Sequence, residues 1–277
     1  MLKFTKMHGI GNDFIVIEKE ELKDGIDKNL LARNLCNRHT GIGGDGLLIV
    51  SKTKDADVEL EIYNSDGSVA GMCGNGVRCI AKYYADNTGK KNGKITIHTL
   101  SGIKEVSYTY DNEFIATVDI GSATFDKGHM ALYTDESVIY NYPLSLPQGT
   151  FNITCVYLGN LHTIIYVDNL MLYPFEEIAL AIQKNPLFFN STNVEFVNVI
   201  NKNTIEMLVY ERGCGETLGC GTGASAAAYV SFKMGKVSND VDVRLKGGEL
   251  HVYLDTKIKH IFLTGTAETV YSGQIEV

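Results

Sequence analysis

Cys73-Gly-Asn-Gly-Val-Arg-Cys-Ile-Ala-Lys82 and Cys220-Gly-Thr-Gly-Ala-Ser-Ala-Ala-Ala-Tyr229 decide how this chain is read. Aligned at their leading cysteines, they share Cys-Gly-x-Gly and an alanine eight positions on, Ala81 and Ala228. Position 220 less position 73 is a spacing of 147 residues, slightly over half of the 277-residue chain. Each stretch follows a polar turn that comes after a strand-like run: Asn64-Ser-Asp-Gly67 in one case, Glu211-Arg-Gly-Cys-Gly-Glu216 in the other. Two such copies describe a duplicated lobe. The small residues of Gly221–Ala228 suit a helix packed closely among strands.

Outward from these stretches, short alternating or β-branched runs dominate. Phe14–Glu18, Leu47–Val50, Val58–Tyr63, Lys94–His98, Glu105–Tyr110 and Phe114–Ile120 lie in the first half. Ile153–Leu158, Thr163–Val167, Val194–Ile200, Thr204–Tyr210, Val241–Leu245, Leu250–Leu254 and Lys259–Leu263 lie in the second. Apolar spacing predicts amphipathic helices over Lys28–Asn37 and Phe175–Lys184. The expected fold is therefore α+β, with two pseudo-symmetric lobes, each a curved, barrel-like, mostly antiparallel sheet around a central helix. Residues 1–119 form the lobe carrying Cys73, with 266–277 returning to it, and 120–265 form the lobe carrying Cys220. Thr124–Thr150, with two of the four prolines and little periodicity, reads as a long surface excursion.

The balance of 25 Lys+Arg against 33 Asp+Glu, net −8, leaves no basic stripe for a phosphate backbone, so nucleic acid is not an expected partner. No apolar run approaches the roughly 20 residues of a membrane helix, and the first residues lack a signal-peptide core. Six cysteines in such a chain read as free thiols, which points to a cytoplasmic protein.

A cysteine just before a helix meets the positive end of the macrodipole and backbone N–H groups without intrahelical partners. That setting favours thiolate over the ordinary pKa of about 8.5. The glycines free the same N–H groups for a carboxylate. Two such helix starts, one from each lobe across a cleft, would flank a single carbon. One thiolate removes a proton from one face while the opposing thiol delivers a proton to the other. The N–H groups would stabilise charge moving onto the carboxylate. Stereoinversion of an amino acid by Cys73 and Cys220 needs neither a metal nor another cofactor. Three bland readings compete. Cys73/Cys79 and Cys214/Cys220 could hold zinc, although knuckle pairs have shorter spacing. The thiols could also serve redox chemistry, or the chain could be a binding module.

The chain is similar to diaminopimelate epimerases over nearly its whole length. The resemblance rests on Met7-His-Gly-Ile-Gly-Asn-Asp-Phe14, Arg38-His-Thr-Gly-Ile-Gly43, Asn64–Gly67, Met72–Cys79, Thr192-Asn-Val-Glu-Phe196 and Glu211–Ala224. It implies cofactor-independent epimerisation of LL- to meso-diaminopimelate by two thiols, in lysine and peptidoglycan precursor biosynthesis. It also implies a homodimer, with Tyr271 in the dimer-forming end. Cys73 and Cys220 would be the acid–base pair. Gly74, Asn75, Gly221 and Thr222 would hold the reacting carboxylate and amine region. Asn12, Asn64, Asn160, Asn193, Glu211 and Arg212 would read polar groups, including the distal end. His162 and Glu211 would assist the chemistry. Three departures concern specificity: Leu161 replaces the usual proline and would loosen its turn, Gly46 stands where some members have glutamine, and Cys214 replaces an alanine. The alternative is a racemase of histidine, proline or hydroxyproline on the same scaffold.

Overall fold

A computed structural model describes residues 1–276. The chain forms two compact units, residues 1–119 with the segment from 264 onward, and residues 120–263.

The first unit begins with the hairpin β1 (Leu2–Gly9) and β2 (Asn12–Glu18), whose ladder closes at the Gly9–Asn12 pair. Its connecting residues, Ile10 (φ 48°) and Gly11 (φ 80°), are both left-handed, as a two-residue hairpin turn with right-handed strand twist requires. Helix α1 (Lys28–Cys36) then crosses over to β3 (Gly46–Ser51), which lies parallel to β2. Its buried Leu31, Ala32, Leu35 and Cys36 pack on Leu2, Phe4, Ile15, Ile17, Leu47 and Ile49. β4 (Val58–Asn64) is antiparallel to β3 and carries the short β5 (Val69–Ala70). Next come α2 (Gly74–Thr88), β6 (Asn92–Thr99) parallel to β4, and the antiparallel β7 (Gly102–Tyr110) and β8 (Phe114–Gly121). Helix α2 touches β1, β2 and β7, strands far apart in the pairing order, so the sheet must curve around it.

The second unit repeats these pairings. β9 (Tyr142–Leu146) precedes β10 (Gly149–Tyr157) and β11 (Leu161–Tyr166), an antiparallel series. Helix α3 (Phe175–Gln183) crosses to β12 (Asn193–Asn201), parallel to β11. β13 (Thr204–Glu211) is antiparallel to β12 and carries β14 (Gly215–Thr217). Then follow α4 (Gly221–Lys233), β15 (Asp240–Leu245) parallel to β13, β16 (Gly248–Asp255) antiparallel to β15, and β17 (His260–Thr266). Helix α4 buries Ser225, Ala226, Ala227 and Ala228 and contacts strands from β10 to β16. Alanine and glycine leave the strands room to close on its backbone. Finally β18 (Glu268–Ile275) returns to pair with β1.

The architecture is α+β and dominated by sheet, as expected, but the sheet is open rather than a closed barrel. The helices end one residue earlier than their apolar spacing predicts, at Cys36 and Gln183. Thr124–Thr150 is more than a surface excursion. It contains β9, and Met130, Ile139 and Leu144 bury into a core with Ile153, Phe175 and Phe196.

Candidate active site

In the first unit, Cys73 is the N-cap of α2. Its extended backbone ends the approach from β5, and its Sγ accepts the Gly76 N–H at 3.4 Å. The Gly76 N–H is one of the four at a helix start that lack an intrahelical acceptor. Sγ lies 4.0 Å from Asn12 Oδ1, which accepts the Asn75 side-chain N–H at 3.0 Å. Asn12 in turn donates to Asp45 at 2.7 Å, and Arg78 donates to Asn75 Oδ1 at 2.7 Å. The Arg78 guanidinium is fully buried among neutral oxygens, those of Asn75, Gly74 and Thr266. Burial holds it down at about 10. A chain of hydrogen bonds thus fixes the hairpin end of β1–β2 against the first turn of α2.

The far end of that chain is ionic. Burial pushes Asp13 up, but hydrogen bonds from Arg38 and Lys6, with the Lys6 charge, outweigh it and hold the carboxyl at about 2. Lys6 also donates to the Gly43 carbonyl, and Arg38 reaches both Asp13 and Asp45. Burial raises Asp45, helped by the Asp13 charge and opposed by the Asn12 hydrogen bond.

In the second unit Cys220 caps α4 in the same way, its Sγ accepting the Gly223 N–H at 3.4 Å with Thr222 Oγ1 at 3.5 Å. Its other neighbours are acidic. Burial raises the Glu211 carboxyl, against hydrogen bonds from Thr217 (2.6 Å) and the Cys220 thiol and the influence of His162. Burial, and then the Glu211 charge, push the Cys220 thiol well above the usual cysteine range. This reverses the expectation from the helix start: one macrodipole does not offset a buried sulfur beside a carboxylate. Behind Cys220, His162 Nδ1 lies 2.6 Å from Glu195 Oε1, and both side chains are wholly buried.

A second cluster gathers Arg212, Asn160 and Asn193. Arg212 donates from Nη2 to Asn160 Oδ1 at 3.1 Å and from Nη1 to the Asn190 carbonyl at 3.1 Å, while its backbone N–H donates to Asn193 Oδ1 at 2.9 Å. Asn160 Oδ1 also accepts the Leu161 N–H at 2.9 Å. Proline has no N–H to give, so Leu161 orients Asn160 rather than loosening the turn. A Cβ on Gly46 would stand 2.9 Å from the Tyr63 carbonyl oxygen, so packing excludes a larger residue there. Cys214 is exposed in the turn after β13.

Asn12, Cys73, Gly74 and Asn75 therefore meet in one unit, while Asn64 turns to Ser68 Oγ at 2.9 Å. His162, Glu211, Cys220, Gly221 and Thr222 lie together in the other, beside the Arg212 cluster. Tyr271 lies on β18, edge-on to Phe4 and 46% exposed. Cys79 is buried inside α2, its thiol pushed by burial to about 12, a poor zinc ligand. Glu195, Asp45 and Arg78 were not singled out in the sequence, although Glu195 and Arg78 sit inside quoted motifs and Asp45 lies two residues after one.

The chain matches the family model described as diaminopimelate epimerase over residues 4–126 and 154–270. A diaminopimelate epimerase of Methanococcus maripaludis strain S2 is 38% identical over 278 residues, covering 100% of both chains. One from Halothermothrix orenii is 41% identical over 283 residues, covering 100% of this chain and 98% of its own. Among solved structures, a probable proline racemase from Agrobacterium radiobacter K84 superposes with a TM-score of 0.75 at 15% identity, covering 100% of this chain and 93% of that one. That last likeness speaks for the fold alone. Full-length identity, paired Cys-Gly-x-Gly helix starts and the polar clusters around them agree, and the chain belongs to the diaminopimelate epimerase family.

Proposed function

We propose that the protein interconverts LL- and meso-diaminopimelate without a cofactor, moving one α-proton between Cys73 and Cys220. The observation that carries this is the matched pair of cysteine N-caps, each in contact with the third N–H of its helix, in a chain of this family. Inversion requires a base on one face of the α-carbon and an acid on the other, so two equivalent thiols suffice and exchange roles in reverse. The remaining first-turn N–H groups suit the substrate carboxylate, where charge grows as the α-proton leaves. Glu211, in hydrogen-bond contact with the Cys220 thiol, is placed to take or return its proton.

A racemase of a single-headed amino acid is the rival, since proline racemase shares the fold. Arg212, pre-set by Asn160 and the Asn190 carbonyl, favours a substrate with a second polar end. We propose also that the protein works in the cytoplasm as a homodimer through the face of β18 bearing Tyr271, and that its product feeds lysine and peptidoglycan precursors. Sedimentation at the monomer mass would remove the dimer.

Proton NMR in D2O tests the reaction. Loss of the α-proton signal from LL-diaminopimelate, with meso product appearing, is expected, and Cys73→Ser or Cys220→Ser each abolishes inversion. Exchange only on histidine, proline or hydroxyproline would overturn the substrate. Wild-type turnover in either variant would overturn the two-thiol mechanism.

A further inference from the structure

Behind the first turns of α2 and α4 the two units differ. Phe14 pairs with Gly46 in one unit and His162 pairs with Asn193 in the other. Two residues further along the partner strands stand Leu48, facing Ile62, and Glu195, facing Val209. Phe14/Leu48 and His162/Glu195 thus hold equivalent places. The first pair is buried hydrocarbon, and a Cβ on Gly76 would meet Leu48 Cδ2 at 3.3 Å. The second is equally buried, and a Cβ on Gly223 would strike Glu195 Oε1 at 2.8 Å. The fold accepts an apolar pair here. Burying an imidazole and a carboxylate instead costs desolvation, which stability does not explain.

We infer that Glu195 is a positioning residue: its Oε1 accepts the Nδ1–H of His162 and so reserves Nε2 as the nitrogen that exchanges a proton with Cys220 and Glu211. The inference rests on Cys220 being one of two acid–base thiols. Among the described residues, His162 Nε2 and Glu195 Oε2 are buried with no hydrogen-bond partner in the protein. Glu195 lies close enough to Glu211 and Cys220 for its carboxylate charge to reach both. Polar neighbours of these groups include the Thr217 and Thr222 hydroxyls, the Gly223 N–H and the Cys155 thiol, which the Glu195 charge also reaches. The proton balance is simple. When the Cys220 thiol passes its proton to Nε2, a thiolate and an imidazolium form, and the Glu195 carboxylate on Nδ1–H offsets the new cation. The group behind the thiol is then an oriented donor–acceptor pair, as in hydrolase triads.

Each thiol can be tested alone with a diaminopimelate analogue bearing fluorine on the β-carbon. One base removes the α-proton, the C–H electron pair becomes the Cα=Cβ bond, and fluoride leaves. In the Cys73→Ser protein this reports on Cys220, and in the Cys220→Ser protein on Cys73. Glu195→Gln is added to each, and fluoride release is followed with both configurations of the analogue. The kcat of the Cys220-dependent elimination should fall at least about tenfold with KM little changed, while the Cys73-dependent rate stays within about twofold. Glu195→Leu, with the side chain that the other unit carries at this place, should keep the parent Tm and lose the same rate. Equal slowing of both eliminations, or of neither, overturns the role of Glu195. No fluoride release from either single-thiol protein overturns the two-thiol reading, and the inference with it.

Discussion

Gly76 and Gly223 occupy matching positions in α2 and α4, but a methyl group would meet a flexible leucine end at the first and a hydrogen-bonded carboxylate at the second. Alanine gains about 1 kcal/mol of helix propensity at either place. Gly76→Ala should therefore be near neutral in urea unfolding, because Leu48 can shift by a few tenths of an ångström. Gly223→Ala should lose about 1–3 kcal/mol, because Glu195 cannot move without breaking its bond to His162. Equal midpoints for the two variants would contradict this. The residues that were hard to see in the sequence were of this kind. In Thr192-Asn-Val-Glu-Phe196, Val194 and Phe196 alternate with polar residues, a pattern that reads as one face in water. Instead both faces of β12 are covered, and Glu195 is 0% exposed. The repeat spacing held the missing signal, because it aligns Glu195 with Leu48 in the uniformly buried β3. The cysteines, by contrast, were legible: glycines after a cysteine at a strand end leave little but a helix cap.

The crossover helices α1 and α3 stand at the same spacing as the two cysteines, so the duplication extends to whole elements. They start differently. Asp27 caps α1, its carboxylate accepting N–H bonds from Asn29 and Leu30, whereas α3 begins at Pro174 without a side-chain cap. Asp27→Ala should lower stability by about 1 kcal/mol, read as a drop in Tm without loss of activity. An unchanged Tm would mean that tertiary packing alone holds that end. Helix limits and long strands were readable because their apolar periods run over several residues. β5 and β14 span only Val69–Ala70 and Gly215–Thr217, too short for any period to register. β9 was hidden by Pro143, which takes a strand pattern out of consideration unless the edge position is known.

For the molecule as a whole, acid stability should depend on the Asp13 cluster. Its folded carboxyl lies at about 2, below the usual 3.8, so its contribution is fully present above about 4 and disappears as pH falls through about 2. Asp45, raised by burial, has the opposite sign and acts above the usual 3.8, where its contribution is lost as pH rises. Asp13→Asn should therefore flatten the rise in unfolding free energy between about pH 2 and pH 4, as measured by urea titration at each pH. An unaltered acid limb would place the dependence elsewhere. The repeat spacing was readable early, while the buried ionic groups follow from single positions and were not. Those groups have a consequence for selection. Arg78 sits among neutral oxygens, and Glu195 and His162 stand where the other unit tolerates hydrocarbon. A population screened for heat resistance alone should drift toward apolar side chains at these three positions and lose turnover as it does so. The same population screened on growth without supplied diaminopimelate should keep all three and remain the less robust protein.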